Sequence, residues 1–162
     1  MIAIVDYGAG NLRSVRNALV HLGADVVTAS TPDDLAGAEK IVLPGVGAFG
    51  AGMRALRAAG FEQPLKERAA AGVPLIGICL GMQYLFEASD EMGQHTGLGL
   101  LPGRVTRFAA NGLKVPHTGW NQLQVRQSHP LLAGVADGAY AYFVHSYYVE
   151  AGDPADVLAL TD

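Results

Sequence analysis

Val73-Pro-Leu-Ile-Gly-Ile-Cys-Leu-Gly-Met-Gln-Tyr84 is the stretch that decides how the chain folds. An apolar run from Val73 to Ile78 stops abruptly at Cys79, with Gly77 and Gly81 two residues away on either side. The spacing predicts a strand up to Cys79 and a helix from Leu80 through Phe86. Gly-x-Cys-x-Gly at such a junction is the cysteine form of a nucleophile elbow, a tight strand-to-helix turn that lifts the nucleophile clear of the sheet. Glycine is needed on both flanks because a side chain there would strike backbone or the neighbouring strand. The helix beyond directs unpaired N–H groups and its positive dipole end at Cys79, which favours thiolate over thiol. A lone cysteine is also commonly a small buried apolar residue, so the local pattern leaves both roles open. Cys79 is the only cysteine, which excludes a disulfide within the chain and a multi-cysteine metal site.

Working outward, Ile2 to Asp6 reads as a buried strand, and Asn11 caps a helix whose Leu12, Val15, Leu19 and Leu22 keep helical spacing. Ala24 to Ala29 supplies a second strand, and Lys40-Ile-Val-Leu43 a third that ends in Pro44-Gly-Val-Gly-Ala-Phe-Gly50. Three glycines in those seven residues make a loop whose backbone N–H groups can point into a site, to bind phosphate or to stabilise an oxyanion. Helical material runs from Ala51 to Ala71, with interruptions expected near Gly60 and at Pro64. Gly8-Ala-Gly10 hints at a dinucleotide fingerprint, but Arg13 stands where a third small residue must let helix and strand approach. No cofactor is therefore expected, and no metal.

Alternation of this kind predicts an α/β fold, a mostly parallel sheet with helices on both faces, in the flavodoxin-like arrangement. Ligands of such sheets sit beyond the C-terminal strand ends, where the Pro44–Gly50 loop and the Cys79 elbow both emerge. Past Phe86, the acidic Glu87, Asp90 and Glu91 are expected to be the solvated end of the elbow helix. Arg104 to Phe108 alternates like a half-exposed strand. The only tryptophan lies in Lys114-Val-Pro-His-Thr-Gly-Trp-Asn121, where it could anchor a partner or cover a core edge. Tyr140 to Val149 is strand-like, with His145 and Ser146 unusual inside it.

The 162 residues suit one domain, 1–162. Half are hydrophobic and 16% charged, which argues against disorder. Eleven basic against fifteen acidic residues leave a net charge of −4 with no basic tract, which argues against a nucleic-acid partner. Met1 runs straight into the first strand with no basic leader or membrane span, so a cytoplasmic setting is expected.

Five segments in order through nearly the whole chain resemble the triad-type (class I) glutamine amidotransferases, and among them the glutaminase subunits of imidazole glycerol phosphate synthases, which serve histidine biosynthesis. They are Asp6 to Val15, Leu43 to Gly47, Gly77 to Gln83, Lys114 to Asn121 and Phe143 to Tyr147. The resemblance implies that Cys79 attacks the carboxamide of glutamine to give a glutamyl thioester and ammonia. N–H groups of Val46, Gly47 and Leu80 would form the oxyanion hole. Gly45, Gln83, His145, Ser146 and Tyr147 would hold the substrate. The implied partner is a (β/α)8-barrel cyclase in a heterodimer, receiving the ammonia through a sheltered channel, with Tyr7, Asn11, Trp120 and Asn121 at the interface.

The family's general base and orienting carboxylate lie in a His-Pro-Glu stretch C-terminal to everything present here. None of His21, His95, His117, His129 and His145 stands in a His-x-Glu context. The expectation is a C-terminally incomplete domain, poor or inactive as a glutaminase by itself. Alternatives are a natural short form that has lost catalysis, and His145 or His117 acting as base. The glutaminase partner of another synthase, a cysteine hydrolase, and a non-catalytic docking subunit are the rival functions.

Overall fold

A computed structural model describes residues 1–109, 112 and 114–162. Its centre is a parallel sheet of β1 (Ile2–Val5), β2 (Val26–Ala29), β3 (Lys40–Gly45) and β4 (Leu75–Cys79), in the order β2-β1-β3-β4. Helix α1 (Leu12–His21) connects β1 to β2, while α2 (Phe49–Ala58) and α3 (Glu62–Ala70) connect β3 to β4. These two connections cross the sheet in opposite directions, so right-handed crossovers place their helices on opposite faces. On one face α1 shares an open groove with Val42, Ile76 and Ile78. On the other, Ala3, Val5, Ile41 and Leu43 are buried with Phe49, Met53, Leu56, Phe61 and Leu65. The expected α/β sheet with helices on both faces is present.

Helix α1 starts where the sequence places it, with the Asn11 side chain accepting from the Ser14 N–H. Pro64 does not interrupt α3. It occupies the third helical position, where a missing N–H costs nothing because first-turn donors have no intrahelical acceptor.

After the elbow the chain departs from the expected helix. The helix α4 spans only Leu80–Gln83, and Phe86 opens a strand, β5 (Phe86–Ser89). Tertiary pairing overrides the local helical pattern, because the Tyr84 carbonyl accepts from the Leu98 N–H and the Glu87 carbonyl from the Gly97 N–H. β5 joins β6 (His95–Thr96), β7 (Leu101–Arg107) and β11 (Tyr147–Ala151) in the order β11-β7-β5-β6, in which only β5–β7 is parallel. β8 (His117–Gln122) and β10 (Tyr140–His145) make an antiparallel ribbon, and β9 (Gln124–Val125) pairs with β12 (Ala159–Leu160). The single strand read across Tyr140 to Val149 is thus two, which change sheets at Ser146.

The acidic residues expected as a solvated helix end have structural partners instead. Glu87 accepts from the Gly103 N–H at 2.9 Å, Asp90 pairs with Arg104, and Glu91 accepts from the Phe49 N–H at 2.6 Å.

Tyr84, fully buried, joins the halves: its ring meets Phe49 edge-on at 5.3 Å and its hydroxyl lies directly against Gly52 of α2. A Cβ at position 52 would overlap that hydroxyl. Gly52→Ala is therefore expected to lower stability by about 1–3 kcal/mol, the usual cost of overpacking a filled core. A urea midpoint unchanged from the parent would contradict this packing.

Candidate functional site

Strand β4 delivers Cys79 to the C-terminal end of the sheet, and the chain reverses there within one residue. Cys79 has φ 55° and ψ −118°, the first central position of a type II′ turn, which glycine ordinarily occupies. The thiol is free and exposed at the tip of that turn.

Backbone contacts hold the turn. A Cβ on Gly77 would fall on the Met82 backbone, one on Gly81 on the Leu43 carbonyl, and one on Gly45 at 2.5 Å from the Gly81 nitrogen. The sequence requires glycine at 77 and 81; the structure adds Gly45, on the neighbouring strand, as the third member of the same contact. The last rung of the β3–β4 ladder sets Gly45 opposite Cys79. Val46 and Gly47 follow immediately, both exposed. Among the described residues their N–H groups have no hydrogen-bond acceptor. Unpaired donors beside an exposed thiol are the arrangement an oxyanion needs.

Both ends of this loop are anchored. At Pro44 the Tyr7 hydroxyl donates to the carbonyl at 3.0 Å, and Gly10 approaches the ring so closely that a Cβ would sit 3.3 Å from it. Tyr7, expected at a partner surface, is 5% exposed, so it belongs to the core and to the support of this loop. Its hydroxyl lies 3.4 Å from that of Tyr84. Burial pushes the Tyr7 hydroxyl up, partly offset by its bond with Tyr84, and pushes the Tyr84 hydroxyl up strongly. Both stay protonated at neutral pH. At the other end Glu91 caps α2 through the Phe49 N–H, its own N–H donating to the hydroxyl of fully buried Ser89. Glu91 and Tyr84 carry no local signal for this, since Glu91 lies 42 residues from the N–H it caps.

Behind the elbow, Gln83 is buried and its amide donates to the Tyr147 carbonyl at 3.4 Å. His145 Nδ1 is 2.9 Å from the same carbonyl, and the Ser146 carbonyl accepts from the Phe108 N–H. Cys79, Leu80, Gly45, Val46, Gly47, Gln83 and Tyr147 thus belong to one connected neighbourhood, with His145 turned onto the Tyr147 backbone.

The remaining expected interface residues lie elsewhere. Asn11 is exposed, with its side-chain oxygen used as a helix cap. Asn121 donates to the Asp162 carbonyl and accepts from the Gln122 N–H. Trp120 is 70% exposed, edge-on to Tyr142 at 5.6 Å. Strand alternation puts Tyr140, Tyr142 and Val144 on that same open face of the ribbon, a cluster in which sequence analysis had singled out only Trp120.

The description of the glutamine amidotransferase class-I family matches residues 3–161. The imidazole glycerol phosphate synthase subunit HisH of Desulfitobacterium hafniense (strain Y51) is 54% identical over 159 residues, covering 98% of this chain and 74% of that protein. HisH of Symbiobacterium thermophilum is 52% identical over 161 residues, covering 99% and 76%. Among solved structures, one described as a glutamine amidotransferase shares the fold with a TM-score of 0.76 at 21% identity, over 98% of this chain and 79% of that one. PurLQS from Thermotoga maritima does so with a TM-score of 0.74 at 22% identity, over 99% and 73%.

The turn geometry at Cys79 yields a stability test separate from chemistry. Cys79→Gly removes the side chain from an unfavourable backbone region and is expected to exceed Cys79→Ala in stability by about 1 kcal/mol, read from urea midpoints. An alanine variant at least as stable would mean the elbow holds no strain.

Proposed function

Since the chain belongs to the class I glutamine amidotransferase family, we propose that it is the glutaminase subunit of a cytoplasmic imidazole glycerol phosphate synthase. The supporting observation is the exposed Cys79 thiol on a turn locked against the end of β3 at Gly45, just before Val46 and Gly47. Cys79 Sγ attacks the side-chain carbonyl carbon of glutamine, and the carbonyl oxygen takes up negative charge. N–H groups of Val46, Gly47 and Leu80 stabilise it, each such donor typically contributing about 3 kcal/mol to barrier lowering. The C–N bond then breaks, the proton given up by the Cys79 thiol goes to the departing nitrogen as ammonia, and water hydrolyses the glutamyl thioester to glutamate and restores the thiol. Gly45, Gln83, Ser146 and Tyr147 bound the glutamine pocket, and His145 supports it.

Proton transfer is the step these residues leave short. Among the described residues, Cys79 has no hydrogen-bonded histidine. His129 Nδ1 accepts from the Leu131 N–H, His95 stacks on Phe49, and His117 and His145 bond to each other. In this proposal these residues bind and attack glutamine, and the proton transfers fall to a histidine–carboxylate pair of the His-x-Glu kind.

Relatives named as synthase subunits support a companion protein. We assign this to a (β/α)8-barrel cyclase. It receives the ammonia and forms imidazole glycerol phosphate and an aminoimidazole carboxamide ribotide. Trp120 with its neighbour Tyr142 is the proposed anchor, because large exposed aromatic groups dominate binding energy at interfaces, and Asn11 and Asn121 are further interface candidates.

In the reconstituted complex, Cys79→Ser is expected to abolish glutamine-dependent synthesis and leave synthesis from added ammonium salt unchanged. Equal loss of both rates would refute the division of labour. An unaltered glutamine-dependent rate would refute Cys79 as nucleophile.

A further inference from the structure

A chain of polar contacts runs from β8 to α4 behind the elbow, and the chemistry above makes no use of its outer member, His117. His117 and His145 are direct partners at one end of the β8–β10 ribbon, with His117 Nδ1 3.2 Å from His145 Nε2. His145 Nδ1 is 2.9 Å from the Tyr147 carbonyl oxygen, which also accepts from Gln83.

The acceptor at the inner end dictates the protons. A carbonyl oxygen can only accept, so His145 Nδ1 carries hydrogen. In a neutral ring its Nε2 is then bare and accepts, so the hydrogen between the rings sits on His117 Nδ1. With both rings neutral, both imidazoles are Nδ1–H tautomers, and every bond points the same way, from His117 to His145 to the Tyr147 carbonyl. Aromatic packing limits ring rotation: His117 stacks on Phe143 at 5.1 Å and 17°, and His145 lies 5.1 Å from Phe108.

The relay sits where the chain leaves the ribbon for β11. The Phe108 N–H fixes the Ser146 carbonyl and His145 fixes the next one, so two consecutive peptides are oriented at the corner. The second of them faces Gln83, one helical turn from Cys79. We propose that His117 is a positioning residue for the glutamine pocket, acting through His145 and the Tyr147 carbonyl on Gln83. This rests on the assignment of Gln83 and Tyr147 to that pocket.

The test is NMR on the full chain, with long-range imidazole 1H–15N spectra and a glutamine titration. His117→Phe keeps the stacking on Phe143 but removes the donor; His117→Asn restores a donor at the Nδ1 position. In the parent both rings should be Nδ1–H. His117→Phe should shift the Gln83 side-chain amide resonances and weaken glutamine binding roughly fivefold, the effect of one lost hydrogen bond. His117→Asn should restore both. The proposal is overturned by an Nε2–H tautomer at His145, or by a folded His117→Phe variant with unchanged Gln83 resonances. If that variant fails to fold, the parent tautomers decide. A parent chain that binds no glutamine would defeat the glutaminase assignment, while the tautomers and Gln83 resonances would still judge the relay.

Discussion

Two stretches of backbone meet with no side chain between them, and the arrangement of the candidate site depends on that contact. Gly81 of the elbow helix lies on the Leu43 carbonyl, Gly45 lies on Gly81, and Gly77 lies on Met82. A Cβ at Gly45 or Gly81 would force β3 and α4 apart, and one at Gly77 would force β4 and α4 apart. The separation of the Cys79 backbone from the Val46–Gly47 amides is therefore set by main-chain packing, which is stiffer than any choice of side-chain rotamer. Such preorganisation is what lets fixed donors stabilise a developing charge without reorganising at the moment of reaction. Its cost is local: a non-glycine residue at φ 55° and three glycines whose chain entropy must be overcome on folding.

Around that contact the two halves of the chain have different tasks. The parallel sheet supplies the elbow and the loop, and Tyr7 and Gly10 steady the loop at Pro44. The later, largely antiparallel half reaches back to finish the site. Glu91 caps the helix that follows the loop, Tyr84 fills the space over Gly52, and Tyr147 receives Gln83. Two apolar surfaces remain open among the described residues. One is the groove between α1 and β4, where Ile76 and Ile78 are 41% and 40% exposed; the other is the Trp120 face of the ribbon.

What the sequence made legible was local. An apolar run ending at Gly-x-Cys-x-Gly leaves few alternatives to an elbow, and the glycine-rich ending of β3 is equally compact in sequence. The failures all involve partners far apart along the chain. Leu80 to Phe86 reads as helix, yet the Tyr84 and Phe86 carbonyls are taken by the N–H groups of Leu98 and Gly99. Glu87 and Glu91 read as a solvated cluster, yet each accepts from a distant backbone N–H. Tyr7 follows a strand like an exposed loop residue, and only the tertiary fold puts Pro44 and Tyr84 against its hydroxyl. The His117–His145 pair depends on the register of two strands 28 residues apart, which no short pattern encodes.

The central claim is that Cys79 faces a pocket shaped for glutamine. The most direct measurement treats the chain with a glutamine analogue bearing an electrophilic ketone at the side-chain carbonyl position and locates the adduct by peptide mass spectrometry. The account predicts saturable modification of Cys79, suppressed by free glutamine and not by glutamate amide isomers lacking the side-chain carboxamide. Modification that is unsaturable and indifferent to glutamine, or a Cys79 that stays unmodified, would contradict it.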